Sequence, residues 1–83
     1  MVAKKSGYLW IKLSANSAGV GMPDRLLVST SGEIVWCELK TLRGQLSTAQ
    51  KHTHADLRRH GQRVEVIRDP DTMQVLVDSL NRA

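Results

Sequence analysis

The sequence predicts a small α/β domain built on a mixed, mainly antiparallel sheet. Two short apolar segments flank the turn signal Thr30-Ser31-Gly32, a strand–helix–strand run follows from Ile34 to Ile67, and an amphipathic stretch follows Pro70. Eighty-three residues make one domain, spanning 1–83. A chain of that size buries only roughly 60 per cent of its unfolded surface, so its core is marginal and association with a second copy would help.

Tyr8 to Leu13 alternates and reads as a first strand, with Leu9, Ile11 and Leu13 on one side and Tyr8, Trp10 and Lys12 on the other. Ser14 to Gly21 is small and polar and reads as a loop near the site. Leu26 to Ser29 and Ile34 to Leu39 form a hairpin whose three-residue loop ends on Gly32, the residue best suited to the left-handed conformation required there. That loop sets Ser29 facing Glu33. Counting outward pairs Val28 with Ile34, Leu26 with Trp36 and Asp24 with Glu38.

Arg43-Gly44-Gln45 breaks the chain before a helix from Thr48 to His60, capped by Ser47, with Ala49, Thr53 and Leu57 along one face and Gly61 as its stop. Arg63 to Ile67 is a strand, expected to return parallel through a right-handed crossover. Asp69-Pro70 is the N-cap and first residue of the last helix, which buries Met73, Leu76, Val77 and Leu80.

The predicted pairing of Asp24 with Glu38 carries the chemistry. Carboxylates directly across a ladder repel unless a cation lies between them, and a divalent ion meets that need. Lys40 shares the face of Glu38, and the Leu39 carbonyl lies between them as a further oxygen ligand. Magnesium suits this set, because it takes one or two carboxylates, keeps several waters and completes its shell with phosphate oxygens. Manganese is expected to substitute. The arrangement is that of a metal-dependent phosphodiesterase, with Lys40 offsetting charge or poising water.

Gly19-Val20-Gly21-Met22 before Pro23-Asp24, then Trp36 two residues ahead of Glu38-Leu39-Lys40, then Leu46-Ser47-Thr48-Ala49-Gln50 resemble the VRR-NUC (virus-type replication-repair nuclease) branch of the PD-(D/E)XK nuclease superfamily. The resemblance runs from about Gly19 to Ile67. It implies a three-layer α/β/α sandwich with a restriction-endonuclease-like core, and a magnesium-dependent DNA endonuclease in replication, recombination or repair. It also implies a dimer acting on branched DNA such as Holliday junctions. Members usually open with a helix carrying another acid, whereas Asp24 is the first acid of this chain. The site then works with two carboxylates, is completed by a partner subunit, or is weakened.

Gln50 has two readings. In one it assists at the site, pointing from the first turn of the helix towards a phosphate or the attacking water. In the other Ser47-x-x-Gln50 is a capping box, and the two are compatible. Lys and Arg exceed Asp and Glu by twelve to eight, a net charge of +4 that permits DNA binding without proving it. Arg43 and Lys51, close to the motif, are the expected phosphate contacts, with Arg58 and Arg59 weaker candidates.

Other classes find little support. Cys37 is alone and is expected to be an inert thiol on the sheet face away from the carboxylates. His52 and His54 stand two apart on a helix without a cysteine pair, so zinc is not indicated, and the histidines read as polar helix residues. No Gly-x-Ser-x-Gly elbow occurs. Trp10 and Trp36 read as packing residues ahead of base-stacking ones. No apolar run approaches the roughly 20 residues of a bilayer span, and the opening Met-Val-Ala-Lys-Lys lacks a signal's apolar stretch. The expected location is the cytoplasm, that of the host for a phage-encoded chain. An alternative is a DNA-binding module that keeps the nuclease fold without cleavage.

Overall fold

The computed structural model describes residues 7–14 and 21–81. Four strands, β1 (Leu9–Lys12), β2 (Arg25–Val28), β3 (Ile34–Leu39) and β4 (Arg63–Ile67), form one sheet in the order β1-β2-β3-β4. The first three run antiparallel and β4 joins β3 in parallel. Helix α1 (Thr48–Arg59) makes the crossover between β3 and β4, and α2 (Pro70–Asn81) closes the chain. Most of the loop expected over Ser14 to Gly21, residues 15–20, lies outside the described residues.

The hairpin has the expected register, with Val28 opposite Ile34 and Leu26 opposite Trp36. Gly32 adopts φ +89, which removes the penalty a side chain would meet in that conformation. Ser29 locks the turn: its N–H donates to the Glu33 carbonyl at 2.9 Å, and its Oγ accepts from the Glu33 N–H at 3.0 Å. A slip of one residue would turn every side chain to the wrong face, so this turn decides which residues meet.

The two helices lie on opposite faces, giving three layers. Under α2, Met73, Leu76, Val77 and Leu80 pack with Tyr8, Leu27, Val35, Cys37 and Ile67, while Trp10 and Leu39 close the margin. Each such side chain contributes about 1.5–3 kcal/mol on full burial. The start of α2 is set by Asp69, whose Oδ1 accepts from the Thr72 N–H at 2.7 Å and from the Thr72 hydroxyl at 2.8 Å. Its far end is tied by the Tyr8 hydroxyl, which donates to Asn81 Oδ1.

The other face is covered only in part. Helix α1 lies over the β3–β4 side, where Arg58 Nη2 donates to the Val64 carbonyl at 2.9 Å. Towards β1 the face is open: Leu9, Ile11 and Ile34 are 60%, 39% and 48% exposed. Trp36, read from sequence as core, is only half-buried, and its indole N–H donates to Gln62 Oε1 at 3.0 Å. Cys37 packs on the α2 side and is fully buried, as its register predicts. Burial first, then the nearby charges of Glu65 and Asp24, pushes its thiol up to about 12, beyond useful nucleophilicity at neutral pH. Among the described residues no helix is long and apolar enough to cross a membrane.

Candidate metal and phosphate site

Pro23 is buried and has no N–H to offer, so regular pairing of β2 with β3 stops at Arg25 opposite Cys37. The chain does not diverge there. The Asp24 carbonyl accepts from the Leu13 N–H at 3.0 Å, which keeps Asp24 beside the end of β1. Asp24 Oδ1 accepts from the Leu39 N–H at 3.1 Å. A side-chain oxygen thus occupies the place that the next main-chain carbonyl of the ladder would have taken. Since the N–H and C=O of one strand residue point to the same side, the Leu39 carbonyl faces the β2 side as well. Arg25 Nη1 lies 3.6 Å from Asp24 Oδ2 and donates to the Asp24 carbonyl at 3.0 Å.

Glu38 follows on β3 and is buried, 4% exposed. Burial raises its pKa first, the Asp24 charge raises it further, and Lys40 and Arg25 pull it back. Asp24, Lys40 and Arg25 are thus all near enough to Glu38 to act on its charge. Glu38 Oε1 has no hydrogen-bond partner although it is buried. Two carboxylates at the end of the β2–β3 ladder, with the Leu39 carbonyl, make a hard oxygen donor set of the kind a divalent cation such as magnesium takes.

The helix that follows delivers two further groups. Ser47 caps α1 with both halves of the capping box: the Gln50 N–H donates to Ser47 Oγ at 3.0 Å, and the Ser47 N–H donates to Gln50 Oε1 at 2.9 Å. The local reading of Gln50 therefore holds. Any role at the site would run through its amide nitrogen, since the oxygen is engaged in the cap. One turn on, His54 is 1% exposed, with Nε2 3.9 Å from Glu38 Oε1. Desolvation first, then the positive charges of Arg58 and Lys40, lowers its pKa and keeps the imidazole neutral.

His54 is a polar residue of the helix, as read from sequence, but a buried one, and of the three histidines it is the one beside Glu38. The spacing from Gln50 to His54, i to i+4, put both on one face of the helix, and that was the available signal. His52 and His60 are exposed as expected, and His60 Nδ1 sits 2.7 Å from the Asp56 carbonyl.

Gly21 fixes the depth of α1. It has φ +81, and an added Cβ would lie 2.8 Å from Thr53 Oγ1 and closer still to the Ala49 carbonyl, so only glycine lets the segment before Pro23 press onto the helix. Arg68 was also missed by sequence reasoning. Its Nη1 donates to the carbonyls of Thr41 and Gly44, at 2.8 and 2.6 Å, and so holds the turn that carries Arg43.

Arg43 and Lys51 are exposed on the segments following Lys40 and Ser47, and neither pairs with a described acid. Arg58 and Arg59 are more committed, Arg58 to the Val64 carbonyl and Arg59 to Asp56. An open cleft of about 650 Å³ lies at the Asp24 end, lined by Lys12, Leu13, Ser14, Asp24 and Arg25. A more apolar depression of about 400 Å³ runs from Leu39 and Lys40 to Met73 at the start of α2 and bears Arg68.

Comparison with known proteins agrees with this fold. A solved structure described as a VRR_NUC domain superposes with a TM-score of 0.80 at 26% identity, covering 93% of this chain and 83% of that one. A search of curated proteins finds no match. The VRR-NUC domain profile matches residues 2–69, which takes in the hairpin, both carboxylates, Lys40, the capped helix and β4. The chain therefore belongs to the VRR-NUC family and is a nuclease-type, DNA-processing domain.

Proposed function

We propose that the chain is a magnesium-dependent DNA endonuclease. The observation that carries this reading is the seating of Asp24 Oδ1 on the Leu39 N–H, which sets that carboxylate beside the strand that carries the buried Glu38. Asp24, Glu38 and the Leu39 carbonyl would hold the ion, and manganese would serve in its place. When bound, the cation supplies Lewis acidity and a template for the phosphate oxygens.

The protein's own groups do the rest. Lys40 offsets the charge that accumulates on the phosphorus-centred transition state and orients the attacking water. Gln50 presents its amide nitrogen to a phosphate oxygen, while Arg43 and Lys51 bind phosphates flanking the scissile one. With a net charge of +4, binding is expected to weaken as salt is added.

The substrate is proposed to be branched DNA of the Holliday-junction type, and the acting species a homodimer. A two-fold pair supplies two sites for cuts on opposite strands. The exposed apolar strip of Leu9, Ile11 and Ile34 gives a small domain a reason to associate. A second reading, a DNA-binding module without cleavage, is favoured by the described residues holding no group of three or more His, Cys, Asp or Glu placed to bind a metal.

The test is incubation of the purified protein with four-way junction, flap, duplex and single-stranded DNA. Each is run with magnesium, manganese or chelator, beside Asp24→Asn. Divalent-dependent cutting that disappears in the variant is expected, with junction cut fastest. Salt-sensitive binding without cutting under any metal would establish the module instead.

A further inference from the structure

We propose that His54 is a positioning residue for Glu38: its imidazole holds the inner oxygen of that carboxylate, so that the outer oxygen is presented to the cation. The inference rests on the metal-site reading above and adds a residue to it.

His54 is 1% exposed and Glu38 4%, and their facing atoms are 3.9 Å apart. Glu38 Oε1 and both His54 ring nitrogens are without a hydrogen-bond partner. A buried polar group without a partner is costly, so two such groups side by side are each other's remedy. The separation exceeds the upper end of the N–H···O range by roughly 0.7 Å, so the contact requires a small shift of the carboxylate towards the ring.

The helix is held firmly enough to make that contact specific. Gly21 presses on Ala49 and Thr53, the capping box fixes the first turn, and Arg58 ties the last turn to Val64. His54 is therefore delivered to one depth over β3. A side chain serving packing alone would be better apolar here, because leucine fills similar space with no nitrogen to satisfy. Outer partners that orient a ligating group typically change metal affinity by about 10–100-fold when removed.

The experiment measures Mn²⁺ affinity by electron paramagnetic resonance, together with the melting temperature in chelator, for the wild type, His54→Leu, His54→Gln and Asp24→Asn. His54→Leu should weaken Mn²⁺ binding about 10–100-fold while melting no lower than the wild type, and His54→Gln, which keeps an N–H donor, should recover most of the affinity. Unchanged affinity in His54→Leu, with binding lost in Asp24→Asn, overturns this inference and leaves the metal site standing. Resolved ¹⁴N coupling on the bound Mn²⁺ that disappears in His54→Leu also overturns it, by making His54 a ligand. If the wild type binds no Mn²⁺, or Asp24→Asn binds it as well as the wild type, the metal-site reading falls and this inference with it.

Discussion

The two faces of the sheet are built from the same four strands and are used in opposite ways. On the α2 side, apolar residues of β2, β3 and β4 meet the four buried residues of one helix, and even the cysteine is sealed away. On the α1 side, Glu38 and His54 are buried without hydrogen-bond partners, Trp36 is half-covered, and three large aliphatic side chains face outward. The difference teaches where a domain of this size keeps its stability. One closed face supplies enough apolar burial to tolerate strain and unsatisfied charge on the other, and such sites generally persist only where the rest of the fold sustains them.

Substitutions on each face should separate the two roles. The largest effect on stability is expected from Leu76→Ala, which empties part of the closed face: about 2–5 kcal/mol lost in urea unfolding. Mn²⁺ affinity of the folded fraction should be unchanged, and a large loss of affinity would mean that the faces are not independent. Gly21→Ala should cost less, about 1–3 kcal/mol, from the strained backbone and the clash with α1. Unlike Leu76→Ala it should weaken metal binding too, because it moves the helix that faces Glu38. Ser47→Ala removes half of the capping box and should cost about 1 kcal/mol, read from the same unfolding curves.

The smallest effects sharpen the contrast by their sign. Burial and Asp24 hold the Glu38 carboxyl above its ordinary range, so in chelator its contribution to stability falls as pH rises from the ordinary glutamate value to the raised one. Glu38→Gln should remove that slope and melt higher than wild type in chelator, and the advantage should vanish or reverse in magnesium. Asp69, at the cap of α2, is shifted the other way. Hydrogen bonds from the Thr72 N–H and hydroxyl hold its carboxyl low, so its contribution is complete above the ordinary aspartate value and is lost as pH falls through the lowered one. Asp69→Asn should flatten the acid limb of the stability profile and leave metal affinity alone. Equal and same-signed pH slopes for both variants would break the comparison.

Local rules accounted for most of the fold and for the hairpin on which the candidate site is built. The Gly32 turn determined the hairpin register and brought Asp24 to the level of Glu38; Ser47 with Gln50 set the start of α1, Asp69 with Pro70 that of α2, and the spacing of Met73, Leu76, Val77 and Leu80 marked the face of α2 that is buried. Each of these is decided within a few residues, by a dihedral preference, a cap or a period, and so can be read along the chain.

What only the tertiary structure decided is which apolar face is covered and by what. Leu9, Ile11 and Ile34 are as apolar as Leu27 and Val35, yet are exposed because α1, which joins β3 to β4, lies on that side of the sheet and leaves the β1 side open. The same placement buries His54 against Glu38, while two residues earlier His52 remains in solvent. Burial is a property of neighbours that sequence distance does not order. The hairpin register that sets Asp24 beside Leu39 was therefore legible from the chain, whereas for His54 the chain gave only the helix face it shares with Gln50 and not its burial.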